Sequence, residues 1–350
     1  MCNKSILVTC QPDDPYYVWQ NHLYIESCIN NGFDEERIHI LLYSPRGRPL
    51  NPYWDKLKDY YPKLNIYRYT DEGKGVSQLL SIYIPILRPH ILRQHFDKFP
   101  ELEKEVIIYT DSDILWTKPP DIEKFYEDDI NYMSDAKSYM NSSYFDSKYP
   151  QMMESKKEGS KNRDFLEEIC NLSGITKQKV VENNDNIGGV QYILKNINAD
   201  FWRKVEKDII SIRTHLMDVN KQFYESENKG IQSWCADLWA VIFNLWYLNR
   251  EVKIVPELDF TWGSDNIEKL KDNSIYHNAG IVSEKQGEAP VFYKGKYHRG
   301  LNPFNDPHLN VVINDDRSKK IANYYYVQKL IELKEKYNLV SQNKLIENGK

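Results

Sequence analysis

The sequence of 350 residues is poor in cysteine, shows no excess of positive charge and has no long apolar run. Its five cysteines are scattered, without the Cys-x-x-Cys spacing of a metal site, so we expect reduced, mostly buried thiols in a reducing compartment. No stretch approaches the roughly 20 apolar residues that span a bilayer. The first residues lack a signal-peptide pattern, which favours a cytoplasmic location.

The charge balance excludes a general attraction to nucleic acid or to anionic membranes. Lysine and arginine number 46 against 51 aspartates and glutamates, giving a formal net charge of −5 and a pI near 6.0. Local basic surface remains possible at residues 156–163 and 317–320. An apolar fraction of 41% is ordinary for a globular protein, and this length supplies ample material for a core.

Strand-like and helix-like segments alternate through the first 120 residues. Apolar spacing predicts helices at 16–31 and 52–60, and a helix at 76–96 that is broken or kinked by Pro85 and Pro89. The predicted strands are residues 5–9, 37–43, 64–69 and 105–111. This alternation indicates right-handed βαβ units, so the expected fold class is α/β with a mostly parallel sheet.

The pattern changes after residue 140. Residues 141–165 are polar and charged, which predicts a surface loop or, alternatively, a mobile lid over an active site. Regular patterning resumes at 186–194, followed by predicted helices at 199–216, 231–248 and 321–337 and extended segments at 256–262 and 274–277. We expect a catalytic domain at 1–310, with a C-terminal helix and tail at 311–350 packed on it.

The most informative segment is Asp111-Ser112-Asp113, which follows an apolar run beginning at Val106. Ligands bind at the carboxyl ends of strands in open α/β sheets. Two neighbouring carboxylates repel each other unless a cation lies beside them, and a hard divalent ion such as Mg²⁺ or Mn²⁺ also accepts phosphate oxygens. The segment therefore predicts a metal–diphosphate site, the alternative being a turn with solvated or capping aspartates.

Two histidines are candidates for a nitrogen ligand to the same ion. His277 follows a short extended segment, and His298 is its competitor. Imidazole suits Mn²⁺ better than Mg²⁺. The segment around His298 also carries Lys294, Lys296 and Arg299 beside two glycines, a composition that favours diphosphate binding or, alternatively, a basic surface turn.

Two further motifs contain residues with a structural or a functional interpretation. The pair Gly188-Gly189 allows the backbone to approach a ligand or an adjacent strand closely, and its spacing matches neither a dinucleotide-binding motif nor a P-loop. Asp237 lies between two tryptophans in a helical, mostly apolar segment and needs a partner there. It either forms a salt bridge or cap, or it faces a sugar or an acceptor hydroxyl.

Taken together, these segments resemble GT-A-fold glycosyltransferases. The resemblance spans roughly residues 4–300 and is strongest to the group of plant hydroxyproline O-arabinosyltransferases and peptidyl serine galactosyltransferases, with relatives in large viruses and phages. The segments that carry it are the strand ending in Ile-Leu-Val-Thr9, Ile107-Ile-Tyr-Thr-Asp-Ser-Asp113, Asn186-Ile-Gly-Gly189, Trp234-Cys-Ala-Asp237 and Tyr276-His-Asn-Ala-Gly280. The resemblance implies a Rossmann-type, mostly parallel sheet flanked by helices.

The resemblance also implies roles for individual residues. Asp111 and Asp113 would bind the metal and the nucleotide sugar, His277 would complete the metal shell, and Asp237 would stabilise positive charge at the anomeric carbon. Asn186 is the second catalytic candidate. Donor contacts are expected from Thr9, at the end of the first strand and facing the nucleoside, and from Asp111, Ser112, Gly188, Gly189, Lys294, Lys296 and His298.

The implied reaction is transfer of a sugar, with galactose, glucose and arabinose as candidates, from a nucleoside diphosphate, expected to be UDP, to a hydroxyl. Retention of configuration is expected because no dedicated base adjoins the Asp-x-Asp motif. A glycan, a protein, a small metabolite and a hydroxymethylated DNA base all remain possible acceptors, since the secretory targeting of the plant enzymes is missing.

Two other functions stay open. A nucleotidyltransferase or sugar-phosphate pyrophosphorylase would carry a basic glycine-rich loop after the first strand, whereas residues 10–14 are acidic and contain no glycine. A non-catalytic carbohydrate-binding protein would not need both aspartates.

Overall fold

A computed structural model describes residues 4–71, 83–154, 163–224, 230–285, 287–298 and 301–339, with the backbone alone for 149–154. The strands, in chain order, are β1 (Ser5–Pro12), β2 (Ile38–Tyr43), β3 (Asn65–Tyr69), β4 (Val106–Tyr109), β5 (Ile114–Trp116), β6 (Asn131–Asp135), β7 (Gly188–Leu194), β8 (Val252–Ile254), β9 (Phe260–Trp262) and β10 (Ile275–His277). The helices are α1 (Pro15–Asn30), α2 (Pro52–Tyr60), α3 (Leu87–Lys98), α4 (Lys137–Met140), α5 (Ser142–Glu154), α6 (Phe165–Ser173), α7 (Lys177–Glu182), α8 (Ala199–Tyr224), α9 (Ala236–Tyr247), α10 (His308–Asn314) and α11 (Asn323–Tyr337).

The described strands form a main sheet of seven in the order β3-β2-β1-β4-β7-β6-β8. All neighbouring pairs are parallel except those of β7, which runs antiparallel to both β4 and β6. Every residue of β2, and all of β1 up to Gln11, is buried, as expected for strands covered on both faces. The predicted α/β class with a mostly parallel sheet is confirmed.

The core lies on both faces of this sheet because alternate strand residues point in opposite directions. Val8 faces the cluster that contains α3, α8 and α9, whereas its neighbour Leu7 faces α1 and α2. The four described cysteines are all buried free thiols, as predicted (Cys10, Cys28, Cys170 and Cys235). None of the helices in the described ranges combines the length and the apolar character that a membrane crossing requires.

Local capping explains why the early helices were predictable. The Asp14 carboxylate accepts the N–H of Tyr16 at 2.8 Å, and Pro15 occupies the first turn of α1. The predicted break near Pro85 is confirmed, since a 3₁₀ turn at Ile84–Ile86 precedes α3, with Pro89 in the first turn of that helix. The part of this predicted helix at 76–82 lies outside the described residues.

The loop predicted at 141–165 is wrong for residues 142–154, which form α5. A few apolar side chains, Met140, Tyr144 and Phe145, are buried in the core and anchor this otherwise polar segment. Residues 155–162 lie outside the described ranges, so a lid there stays a prediction. The predicted helix at 231–248 begins only at Ala236, after a 3₁₀ turn, while α8 extends beyond its predicted end to Tyr224.

A second sheet of three strands, in the order β5-β10-β9, positions the candidate site. Strand β10 is antiparallel to β5 and parallel to β9. The register pairs His277 with Ile114, the residue that directly follows Asp113. The segment predicted as extended at 274–277 therefore belongs to this small sheet, and it brings a distant histidine to the end of β4.

Candidate metal centre

The Asp-x-Asp segment forms the turn by which the chain leaves the main sheet after β4 and enters β5. The N–H of Asp111 donates to the Gln191 side chain at 3.3 Å, and the carbonyl of Asp113 accepts the N–H of Asn278 at 2.9 Å. Ser112 between them is buried. Both aspartates are thus attached to neighbouring strands through their backbones, which fixes where their carboxylates point.

The side chains of Asp111, Asp113 and His277 converge, with potential ligand atoms all within 4.8 Å of one another. His277 Nε2 lies 3.7 Å from Asp111 Oδ2 and 3.4 Å from Asp113 Oδ1. The two aspartate side chains are only 15% and 13% exposed. Buried like charges at this separation require compensation by cations.

The imidazole of His277 is held in a fixed plane by aromatic neighbours. Trp262 stacks on it with centroids 5.5 Å apart and an angle of 15°, and Phe260 meets its ring at 4.9 Å. The buried Nδ1 has no hydrogen-bond partner among the described residues, while Nε2 faces the aspartates. Two carboxylates and one imidazole form a ligand set that fits Mn²⁺ and is less natural for Mg²⁺.

Two cations neutralise the aspartates in this structure. Arg88 Nη2 lies 2.5 Å from Asp111 Oδ1, and the Lys294 ammonium forms an ion pair with Asp113 Oδ2. Burial alone would raise the pKa of Asp113, but the charges of Lys294 and His277 outweigh it and hold that pKa well below its ordinary value. This shift favours the ionised form of Asp113, which is the form that binds a metal.

The same arginine links the cluster to Asp237. A buried Asp237 was predicted to need a partner, and Arg88 is that partner. Arg88 Nη1 lies 3.2 Å from Asp237 Oδ2, and the Tyr83 hydroxyl donates to Asp237 Oδ1 at 3.1 Å. Burial raises the pKa of Asp237 and Asp111 adds to this, whereas Arg88 and Tyr83 oppose it. Arg88 thus lies between two carboxylates from different parts of the chain.

The residues of the basic segment that was predicted to bind diphosphate have different partners in the structure. Lys294 reaches Asp113, but Lys296 Nζ pairs with Asp306 at 2.7 Å. The His298 ring stacks on Tyr16 at 4.1 Å and is not one of the three residues with converging ligand atoms. Arg299 lies outside the described residues. Among the described residues of this segment, Lys294 alone therefore contacts the metal centre.

The glycine pair packs closely against neighbouring elements. A Cβ at Gly188 would lie 2.4 Å from Met133 Cβ and 2.7 Å from the Ser134 carbonyl, and one at Gly189 would meet Leu238 at 3.3 Å. Their close neighbours are thus β6 and α9, which fits the interpretation of strand packing. Asn186 lies in the 3₁₀ turn before β7, where its N–H donates to the Asn183 carbonyl.

The first strand was predicted to end at Thr9, but β1 continues to Pro12. Thr9 is completely buried, and its hydroxyl donates to the Gln11 side chain at 3.3 Å. The apolar pattern weakens at the polar residues of 9–12, which is why the predicted strand ended too early.

Sequence reasoning missed Arg88, Tyr83 and Trp262 as residues of the site. Arg88 and Pro89 occur in a segment whose only evident signal was a helix break. Trp262 was included only as the end of an extended segment, and its contact with His277 depends on the pairing of β9 with β10.

No protein-family model and no curated protein matches this sequence. Among solved structures, the chain is similar to the apo WbbM bifunctional glycosyltransferase, with a TM-score of 0.43 and 11% identity, over 80% of this chain and 46% of that one. It thus spans about half of that protein's length.

Two other solved structures show a comparable likeness. Apo mouse xyloside xylosyltransferase 1 has a TM-score of 0.37 and 10% identity, over 80% and 99% of the two chains. The galactosyltransferase LgtC, in complex with donor and acceptor sugar analogs, has 0.37 and 12%, over 83% and 93%. Likeness at these TM-scores carries no argument about activity, which has to come from the site itself.

Proposed function

We propose that this protein is a metal-dependent glycosyltransferase that moves a sugar from a nucleoside diphosphate, with UDP as the expected nucleotide, to an acceptor hydroxyl. The observation that carries the proposal is the convergence of Asp111, Asp113 and His277 at the carboxyl end of β4, with Lys294 on the same cluster. A divalent ion bound there would act as a Lewis acid toward the departing diphosphate. Mn²⁺ is the expected ion because of the imidazole.

The charges of the cluster favour joint binding of metal and diphosphate. With their carboxyl groups ionised, Asp111, Asp113 and Asp237 exceed the charges of Arg88 and Lys294 by one unit of negative charge. The diphosphate of a UDP-sugar carries two negative charges. Alone it would increase the negative charge of a mostly buried site, whereas together with a divalent ion it would leave that charge unchanged. We therefore expect UDP to bind weakly without metal, with Lys294 exchanging Asp113 for a phosphate oxygen.

Asp237 is proposed to stabilise positive charge at the anomeric carbon. Its oxygens already accept hydrogen bonds from Arg88 and Tyr83, so this carboxylate is poorly arranged to take a proton from an acceptor. That arrangement supports an electrostatic role and a retaining reaction, in which the departing diphosphate would accept the proton. Arg88 acts as a positioning residue that orients Asp237 relative to Asp111.

The test is a screen of UDP-galactose, UDP-glucose and UDP-arabinose for Mn²⁺-dependent hydrolysis, together with calorimetry of UDP with and without Mn²⁺. We expect one donor to be hydrolysed and UDP binding to require the metal. Because even partners of metal ligands change affinity or activity by 10–100-fold, Asp113→Asn should lower hydrolysis by more than about 100-fold. The control is Asp121→Asn, at an exposed aspartate that forms a surface ion pair with Lys124.

Equal hydrolysis by Asp113→Asn and the wild type would remove Asp113 from the reaction. UDP binding that is indifferent to Mn²⁺ would contradict the metal-dependent part of the proposal. Once a transfer product is available, its anomeric proton in an NMR spectrum reports the stereochemistry: the same configuration as the donor is expected, and the opposite one would refute retention alone.

A further inference from the structure

An open cleft of about 430 Å³ lies between the end of β6 and strand β9. Its wall includes Phe260 and Trp262, the two aromatic residues that hold the imidazole of His277. On the basis of the proposed function, we propose that this cleft binds the acceptor and that the acceptor is an uncharged sugar residue of a glycan.

The cleft lies between two elements that both reach the catalytic cluster. One side is the end of β6 with the following helix α4, which contributes Asp135 and Tyr139, and the other is β9. Hydrogen bonds connect the end of β6 to the cluster: the N–H of Gln191 donates to Ser134 Oγ at 3.0 Å, and the Gln191 side chain accepts the N–H of Asp111 at 3.3 Å. A hydroxyl bound in the cleft would therefore be close to the donor site.

The aromatic lining suits the apolar face of a sugar ring. Trp262 uses one face of its indole to stack on His277, yet the residue is still 36% exposed and lines the cleft. Indole combines a large flat apolar surface with an N–H donor, so it can pack against ring C–H groups while leaving sugar hydroxyls free to bond. Stacking on a buried ring also keeps the indole in a fixed orientation.

The polar lining suits hydroxyl groups. Asp135, Asp259 and Asp272 line the cleft and offer carboxylate oxygens, which accept hydrogen bonds from sugar hydroxyls. Two of them are already ordered: Asp259 Oδ1 accepts the N–H of Asp135 at 3.0 Å, and Asp135 Oδ1 accepts the N–H of Lys137 at 2.8 Å. Ordered acceptors reduce the entropy lost when a ligand binds.

The same charges disfavour a nucleic-acid acceptor. Among the described residues, three carboxylates and one cation, Lys269, line the cleft, and Lys269 itself pairs with Asp265 at 3.2 Å. Lys137 pairs with Asp135 at 3.4 Å, so the carboxylates of this surface still outnumber its cations. A DNA strand carries a phosphate at every nucleotide and would be repelled from this surface. A neutral sugar experiences no such repulsion, so a glycan is favoured over a hydroxymethylated DNA base.

The experiment measures transfer and binding separately from donor hydrolysis. Wild-type protein with Mn²⁺ and the donor that it hydrolyses is offered lactose, maltose, cellobiose, a hydroxyproline peptide and a hydroxymethylcytosine duplex. Binding of the three sugars is followed by isothermal titration calorimetry in the presence of Mn²⁺ and UDP. We expect binding and transfer with at least one of the sugars and with neither the peptide nor the DNA.

Variants then locate the binding site. Asp135→Asn should raise the acceptor KM by about tenfold, with a much smaller effect on the donor KM. Trp262→Ala should raise the acceptor KM by at least as much and should also weaken donor binding, because Trp262 stacks on the metal ligand His277. The matched control is Tyr247→Ala, since Tyr247 is an exposed aromatic residue that contacts Lys204 and Gly174 instead. It should leave the acceptor KM unchanged.

The outcomes separate this proposal from the function on which it rests. Donor hydrolysis combined with transfer to the peptide or DNA and to none of the sugars would overturn the glycan proposal and leave the transferase intact. Unchanged acceptor KM in both cleft variants would move the acceptor site elsewhere. Failure of the wild type to bind UDP or to hydrolyse any donor would overturn the proposed function itself.

Discussion

Replacing Arg88 with methionine tests how the candidate metal centre is held together. The arginine contacts Asp111 at 2.5 Å and Asp237 at 3.2 Å, and its side chain is 21% exposed. Methionine is unbranched and flexible and fills much of the same space without charge. The Arg88→Met variant would therefore leave two mostly buried carboxylates without their shared cation.

The expected cost follows from this burial. Removing one partner of a buried ion pair costs about 3–5 kcal/mol, because the remaining charge stays desolvated. The partial exposure of Arg88 places the expected loss near the lower end, about 3 kcal/mol. Arg203→Met is the matched control, since Arg203 is 53% exposed and pairs with Asp97 at 3.5 Å. Surface pairs of this kind contribute about 0–1 kcal/mol.

Urea denaturation at pH 7, followed by circular dichroism with and without Mn²⁺, measures both effects. A ligand at 100 times its Kd adds about 2.7 kcal/mol to the free energy of unfolding. In Arg88→Met the ion no longer competes with the guanidinium for Asp111, so Mn²⁺ should stabilise the variant more than the wild type. A loss no larger than that of Arg203→Met, or an equal response to Mn²⁺, would refute the reasoning.

Two further predictions concern stability. Burial lowers the pKa of His22 to about 3, so its contribution to stability is present above an unfolded pKa of about 6.5 and decreases as the pH falls below it. His22→Phe should therefore lose about 2 kcal/mol less than the wild type between pH 7 and pH 5 in urea titrations, and an unchanged pH dependence would contradict this. Gly188→Ala should cost about 1–3 kcal/mol through overpacking against Met133, and more than Gly189→Ala; equal stability of Gly188→Ala and the wild type would argue against the packing role.

The first half of the fold could be predicted because local signals and tertiary structure agree there. Strand β2 is an uninterrupted buried run, and α1 begins at a capping aspartate followed by proline. The short strands β6 and β8 could not be predicted, since they have five and three residues and owe their extended form to pairing with neighbours. Helix α5 was missed for the same reason. Its sequence is mostly polar, and its few apolar residues are buried because tertiary packing places them against the core.

In the candidate site, too, residues with a local sequence signal were predictable and residues placed by tertiary packing were not. Asp111 and Asp113 were predictable because the strand and the carboxylates are consecutive in sequence. His277 carried a local signal as well, but its approach to Asp113 depends on the register of β10 with β5. Arg88 had no local sequence signal, because its role depends on two acidic residues that are distant in sequence and buried together in the fold. Lys296 and His298 show the converse, since residues close to Lys294 in sequence have other partners.

The distribution of charge across the site would keep the two substrates apart. Lys294 approaches Asp113 through Oδ2, whereas His277 approaches it through Oδ1 and leads, by way of Trp262, to the acidic cleft. A diphosphate is attracted to the ammonium and repelled by the carboxylates of the cleft. The charged leaving group and the neutral acceptor would then occupy different sides of the two aspartates. Reversing the charge of the cleft should weaken this separation of the substrates more than it weakens metal binding.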